Sequence, residues 1–233
     1  MIIGKGINDI DVDIPNDVYD TKKDIPTFSV YLIAIVRDST GKVIKVHRQR
    51  SHSPTANFIG LLLPLTWFSS TGSSYTITNV AGGTCSYKPG TGGSPQDILY
   101  PNNSTSNLTY LAMIQVGSGS QSNPSSATKL AAPIPNGSGT GQLIYGSVSI
   151  PTVVSVSGSS AYFQISQAYN NQSGATIDIT EVGIVLQIMF VNSFASSSTN
   201  CGNVLIWYDV LSSTISVPNG GTLVIYYTFT VNP

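Results

Sequence analysis

The sequence predicts an all-β protein: an antiparallel β-sandwich, jelly-roll-like, with an N-terminal arm and one short helix. Three observations predict it. The last third reads TIDITEVGIVLQIMFV, NVLIWYDVL and STISVPNGGTLVIYYTFTV, apolar and β-branched runs separated by Ser, Asn, Pro and Gly. Nine to eleven such short runs recur along the chain, without the alternating helices that join parallel strands. Charge is sparse, 9% of residues against about 25% in an average domain, so the surface is built from Ser, Thr, Asn, Gln, Gly and Tyr.

Residues 1–26 read as an arm, and 27–233 as one sandwich domain with long loops at 69–108 and 117–141. In the arm, Ile7 leads into Ile10, Val12 and Ile14, which alternate with Asp9, Asp11 and Asp13 as a short strand with one acidic face. Phe28–Arg37 is apolar on both faces and predicts a central strand. Asp38-Ser39-Thr40-Gly41 is a turn signal, and 42–50 returns as the second strand of a hairpin. Ser53 followed by Pro54 predicts a helix start, and Pro64 is expected to limit that helix to about two turns. Trp67 and Phe68 are expected to run on into the core. Further strands are expected at 75–80, 108–116, 143–150, 153–156 and 161–166, with Leu130 and Ile134 anchoring the second long loop. In the last strand Leu223, Ile225, Tyr227, Phe229 and Val231 share one face, fed by the turn Pro218-Asn219-Gly220.

Residues 1–50 carry eight of the ten Lys and Arg and seven of the eleven Asp and Glu. A net charge of −1 gives no general attraction to nucleic acid or to an anionic membrane. The N-terminus shows no sustained apolar signal segment, and the longest apolar stretch, Phe58–Phe68, is too short to span a bilayer and contains Pro64. An exterior-type composition without a secretion signal fits a virion protein made in the host cytoplasm; the alternative location is the extracellular surface.

Chemistry is mostly excluded. His47 and His52 are the only histidines, and no Gly-x-Ser-x-Gly elbow accompanies them, which argues against a hydrolase. With Cys85 and Cys201 they lack the paired spacing of a zinc site. Asp9, Asp11 and Asp13 lack the Gly and Glu that a calcium loop requires. Asp178 and Glu181 are read as ordinary turn and edge residues rather than an opposed catalytic pair. No cofactor is expected. Cys85 and Cys201 are either two free thiols or one disulfide closing a loop, worth about 4 kcal/mol in the second case. The sequons at Asn102, Asn103, Asn107, Asn136 and Asn171 fall in expected loops and are candidate glycosylation sites. Lys42, Lys45, Arg48 and Arg50 form a candidate basic contact patch; the plainer reading is a charged edge strand that discourages wrong pairing. Twelve tyrosines on a charge-poor surface suit subunit interfaces or stacking on sugars, including host-surface glycans.

Two stretches carry a resemblance. MIQVGSGSQSNPSSATKLAAPI at 113–134 joins ITEVGIVL at 179–186 and the ending IWYDVLSSTISVPNGGTLVIYYTFTV. With the hairpin DSTGKVI and the stretch SPTANFIGLLL, this resembles β-sandwich virion structural proteins of phages and archaeal viruses, of the turret, vertex or tail-associated type. The resemblance implies a non-enzymatic protein that assembles with itself and with other virion proteins as a symmetric oligomer. It carries over no catalytic residue. The expected function is therefore a virion structural subunit on the particle exterior. The alternatives are an extracellular filament or adhesion subunit whose arm donates a strand to a neighbour, and a carbohydrate-binding module.

Overall fold

The computed structural model describes residues 27–51, 53–66, 75–87, 114–150, 153–192 and 197–232. The elements in chain order are β1 (Thr27–Arg37), β2 (Val43–Ser51), α1 (Ala56–Thr66), β3 (Tyr75–Thr78), β4 (Thr84–Tyr87), β5 (Ile114–Gly117), β6 (Ile144–Ser149), β7 (Ser155–Ser157), β8 (Ser160–Asn170), β9 (Ile177–Asn192), β10 (Ser197–Val217) and β11 (Thr222–Asn232). The large sheet has the order β2-β1-β11-β8-β6, with β7 also on β8. The small sheet has the order β10-β9-β5, and β3 pairs with β4 alone. All pairing between these strands is antiparallel. This is the all-β sandwich the sequence predicts; the pairing does not establish jelly-roll connectivity.

Alternation builds the core. Leu32 and Ala34 of β1 and Leu223, Ile225 and Tyr227 of β11 turn to the small sheet and are fully buried. They meet Ile114 and Val116 of β5, Ile184 and Ile188 of β9, and Val204 and Ile215 of β10. Phe229 continues this face, while Val231 near the strand end is exposed. β1 lies between β2 and β11, as its two apolar faces predict.

The helix differs from expectation at both ends. Ser53 does not cap it. The Ser53 carbonyl accepts from the Tyr208 amide at 3.0 Å, and the Thr55 amide donates to the Ile206 carbonyl at 3.0 Å. Residues 53–55 are thus still paired along β10, and the helix starts only when that ladder ends. Thr55 precedes it, its hydroxyl on the Leu205 carbonyl at 2.8 Å. At the other end α1 runs two residues past Pro64, to Thr66.

The runs NVLIWYDVL and STISV are one strand, not two. β10 is 21 residues long and carries three register shifts against β9. At the widest, Val210 pairs with Glu181 and Ile215 with Ile179, leaving 211–214 bulged opposite one residue. The polar Ser212 and Ser213 that read as a break belong to this bulge. The expected strand at 75–80 ends at Thr78, because Asn79 closes the β3–β4 turn by accepting from the Ala81 and Gly83 amides. The stretch 108–113, Trp67, Phe68, His52 and most of the 69–108 loop lie outside the described residues.

The loop at 117–141 is largely exposed, but it also packs back onto the sandwich. Ala127 and Leu130 are buried against Val185, Leu205 and Tyr208, on the face of the small sheet away from the large one. Ile134 is buried in the main core, as expected of an anchor. The small sheet is therefore covered twice: by the large sheet on one side and by an irregular segment, 118–134, on the other.

Candidate functional site

Glu181 stands at the centre of that second covering. Opposite the bulge in β10 the alternation of β9 reverses: Ile177 and Ile179 face the core and then Val182 and Ile184 do. Glu181 is left on the opposite face with Val185, fully buried. Its Oε1 accepts from the Ala132 amide at 2.7 Å and the Gly119 amide at 3.2 Å. Its Oε2 accepts from the Ala131 amide at 2.9 Å and the Tyr208 hydroxyl at 2.6 Å. Four donors occupy the acceptor sites of one carboxylate. The Tyr208 hydroxyl in turn accepts from the Gln121 amide at 2.9 Å, and Thr180 donates to the Gly119 carbonyl at 2.7 Å.

Glycines of the first of the two stretches that carry the resemblance fit this node. A Cβ on Gly117 would lie 2.3 Å from Glu181 Oε1, and one on Gly119 would lie 2.7 Å from the Ala132 nitrogen. Neither distance is tolerable, so the loop reaches the carboxylate only because both are glycine. Val116-Gly117-Ser118-Gly119 and Thr180-Glu181-Val182-Gly183, distant in sequence, are thus two halves of one structure. Glu181 is not the turn or edge residue that its sequence context suggests. Burial pushes the Tyr208 hydroxyl well above its ordinary range, and the Glu181 carboxylate adds to the effect.

A second polar cluster joins the two sheets. Asp209 Oδ2 accepts from Ser51 at 2.5 Å and from Tyr227 at 2.8 Å, and Trp207 Nε1 donates to the Ser51 hydroxyl. Farther along β2 the same inward face carries Lys45, His47 and Gln49, which clasp the β10 bulge. Lys45 donates to the Thr214 carbonyl. His47 lies between Ser213 and Gln49, at 3.2 and 2.9 Å. Gln49 accepts from the Ser212 amide and donates to the Val210 carbonyl. Among the described residues the structure brings His47 to a serine and an amide rather than to a carboxylate.

These contacts divide the candidate basic patch. Lys45 points inward to β10, while Arg48 and Arg50 are on the opposite, exposed face of β2, and Lys42 lies in the preceding turn. The physical reason is strand alternation, which separates residues of odd and even number. Beside Arg50 a cleft of about 330 Å³ is lined by Phe28, Phe58, Ile59 and Trp207 among others.

Cys85 and Cys201 are joined as a disulfide, with Cα atoms 5.5 Å apart, tying the β3–β4 hairpin to β10. Asn79 Nδ2 donates to the Cys201 carbonyl beside it. Of the sequons, Asn136 is exposed. Asn171 is not a glycosylation site in this structure. It is fully buried, and its Nδ2, the atom a glycan would take, donates to the Ala175 and Val217 carbonyls at 2.8 Å each. Its backbone pairs with Gly220 and Gly221, so it locks the β8–β9 turn onto the turn at Pro218-Asn219-Gly220. Asn102, Asn103 and Asn107 lie outside the described residues, as do Ile7, Ile10, Val12 and Ile14 of the arm.

Glu181, Tyr208, Asp209 and Asn171 were not identifiable as a site from sequence, because most of their partners are backbone groups far along the chain. The only sequence trace of the Glu181 node is the pair of Gly-rich stretches. Among the described residues no group of three or more His, Cys, Asp or Glu is placed to hold a metal, and no helix is long and apolar enough to cross a membrane. Comparison with protein families, with curated proteins and with solved structures finds no match to this chain.

Proposed function

We propose that the protein is a non-enzymatic structural subunit of a symmetric assembly on the exterior of a virus particle, in a capsid, turret or tail. The observation that supports this best is the outer face of the large sheet. Rows such as Val46–Ile35–Val224 and Arg48–Ile33–Tyr226 run across it, largely apolar and aromatic, with Arg37, Arg48 and Arg50 on its β1–β2 side and Thr228 and Gln164 as its polar part. A face of that kind joins a neighbour through packing rather than charge. The internal bracing suits the same role. The Glu181 node, the Asp209 node and the Cys85–Cys201 disulfide each tie distant segments of the chain together.

The test is the mass of purified full-length protein by light scattering, at low salt and at about 1 M salt, where the screening length falls to roughly 3 Å. An oligomer of fixed size that persists in high salt is expected. A monomer under all conditions would overturn the reading. Electron microscopy of native material separates closed particles from the second reading, an extracellular filament subunit. That reading is favoured by one observation, the disulfide, which persists in oxidising surroundings; continuous fibres would select it.

A further inference from the structure

We propose that the Cys85–Cys201 disulfide is a redox latch: it fastens the β3–β4 hairpin to β10, and its reduction releases that hairpin while the sandwich stays folded. The inference goes beyond the assembly reading and does not depend on it. Among the described residues, β3 and β4 pair over four residues each, with each other and with no further strand. A two-stranded hairpin by itself is marginal in water, so its place is set by what ties it down. It brings little core of its own. Ile77 and Cys85, paired across the hairpin, are buried in the main cluster, whereas Thr76, Thr84 and Ser86 are exposed. β11, by contrast, places Leu223, Ile225, Tyr227 and Phe229 in the same cluster.

The ties differ along the hairpin. On β3, Asn57 of α1 stands in for a strand edge. Its Oδ1 accepts from the Thr78 amide at 3.0 Å, and its Nδ2 donates to the Thr78 carbonyl at 2.9 Å. At the turn, Asn79 Nδ2 donates to the Cys201 carbonyl at 3.1 Å and the Val80 amide to the Asn203 carbonyl at 2.8 Å. On β4, among the described residues, no backbone hydrogen bond leaves the hairpin, and Cys85 is the link to β10. The turn bonds and the disulfide thus dock on one short stretch, 201–203. Each hydrogen bond there contributes little net stability. With the covalent link cut, the hairpin opens at a far lower cost than the two packed sheets, which makes it a separate opening unit.

The step is thiol–disulfide exchange. A thiolate of the reductant attacks one Sγ, the Cys85–Cys201 bond breaks and a mixed disulfide forms; a second thiol of the reductant then displaces the protein sulfur. Two electrons pass to the protein, both cysteines end as protonated thiols, and the reductant ends as its own disulfide. Both cysteines are buried, so exchange needs a brief fraying of β4, not an unfolding of the sheets. Where thiols are kept reduced the hairpin is loose, and oxidising surroundings fasten it.

The test uses the unaltered full-length protein. It is treated with dithiothreitol without denaturant, and its thiols are counted by alkylation and mass. Two thiols are expected to appear. Hydrogen exchange of the 76–86 amides is then expected to run at least tenfold faster, while amides of β1, β8 and β11 keep their rates. Oxidised glutathione is expected to restore the slow exchange. A disulfide that yields only with global unfolding overturns the proposal. Unchanged exchange at 76–86 after reduction overturns it too, because other contacts then hold the hairpin. So does acceleration across all the strands, because the disulfide then holds the whole fold. The double variant Cys85→Ser with Cys201→Ser is a second arm. It is expected to exchange like the reduced chain, with or without dithiothreitol; exchange at 76–86 as slow as in the oxidised chain overturns the proposal.

Discussion

The two faces of the small sheet are covered by different means. The large sheet covers one face with apolar side chains such as Leu32, Leu223 and Ile225, all fully buried. The segment 118–134 covers the other with a smaller apolar contact, and Glu181 binds three of its backbone amides. The difference teaches where each covering is vulnerable. A sheet satisfies its own backbone groups, so its packing tolerates change one side chain at a time. The irregular segment has only a short backbone bridge, at Gly117 and Pro133, and three of its amides depend on one acceptor.

The largest effect is expected at that acceptor. Glu181→Ala leaves the Gly119, Ala131 and Ala132 amides and the Tyr208 hydroxyl without their partner, a loss of about 4 kcal/mol in denaturant unfolding. Limited proteolysis should then cut first within 118–134. If that segment stays protected, the carboxylate is not what holds it.

Leu32→Ala tests the other face. It is expected to cost about 3 kcal/mol through a cavity between the sheets, with 118–134 still resistant to protease. Selective opening of the loop in this variant would mean the two coverings are not separable.

Tyr208→Phe is milder. It removes one donor to Glu181 and the acceptor of the Gln121 amide, and about 1 kcal/mol should be lost.

The least local effect is alkaline. Burial raises the hydroxyls of Tyr145, to about 12, and of Tyr169, Tyr208 and Tyr227. Their unfolded value is near 10. The neutral form is thus favoured more in the folded chain, and its contribution is complete below about pH 10. It is lost as pH rises through 10 toward the folded values. Melting temperature followed from pH 8 to 12 should be flat and then fall; a fall beginning well below pH 10 would exclude these tyrosines as its cause.

Much of the fold was legible because burial follows a period of two. Leu223, Ile225, Tyr227 and Phe229 alternate in sequence and are buried together. β1, apolar on both faces, lies inside its sheet. The reading failed where a distant partner changed the local rule. Ser53 looks like a helix cap but is held in a ladder with Tyr208. Ser212 and Ser213 look like a strand end but bulge under His47 and Gln49. Asn171 looks like an exposed sequon but is the bond between two turns. In each case the polar residue that signals a loop is satisfied by a group more than a hundred residues away, or across a turn that the sequence does not place beside it.

The sequence by itself determined the class of the protein: alternation set which side chains a sheet buries, and scarcity of charge set the character of the surface. Tertiary structure alone decided what Glu181 does. A carboxylate between Thr180 and Val182 has no local feature that marks it as buried. It is buried because the alternation of β9 reverses opposite the β10 bulge, which leaves it on the outer face, and because Gly117 and Gly119 let a backbone approach it. Backbone amides carry no residue identity, so the partners that fix such a group leave almost no mark in the sequence.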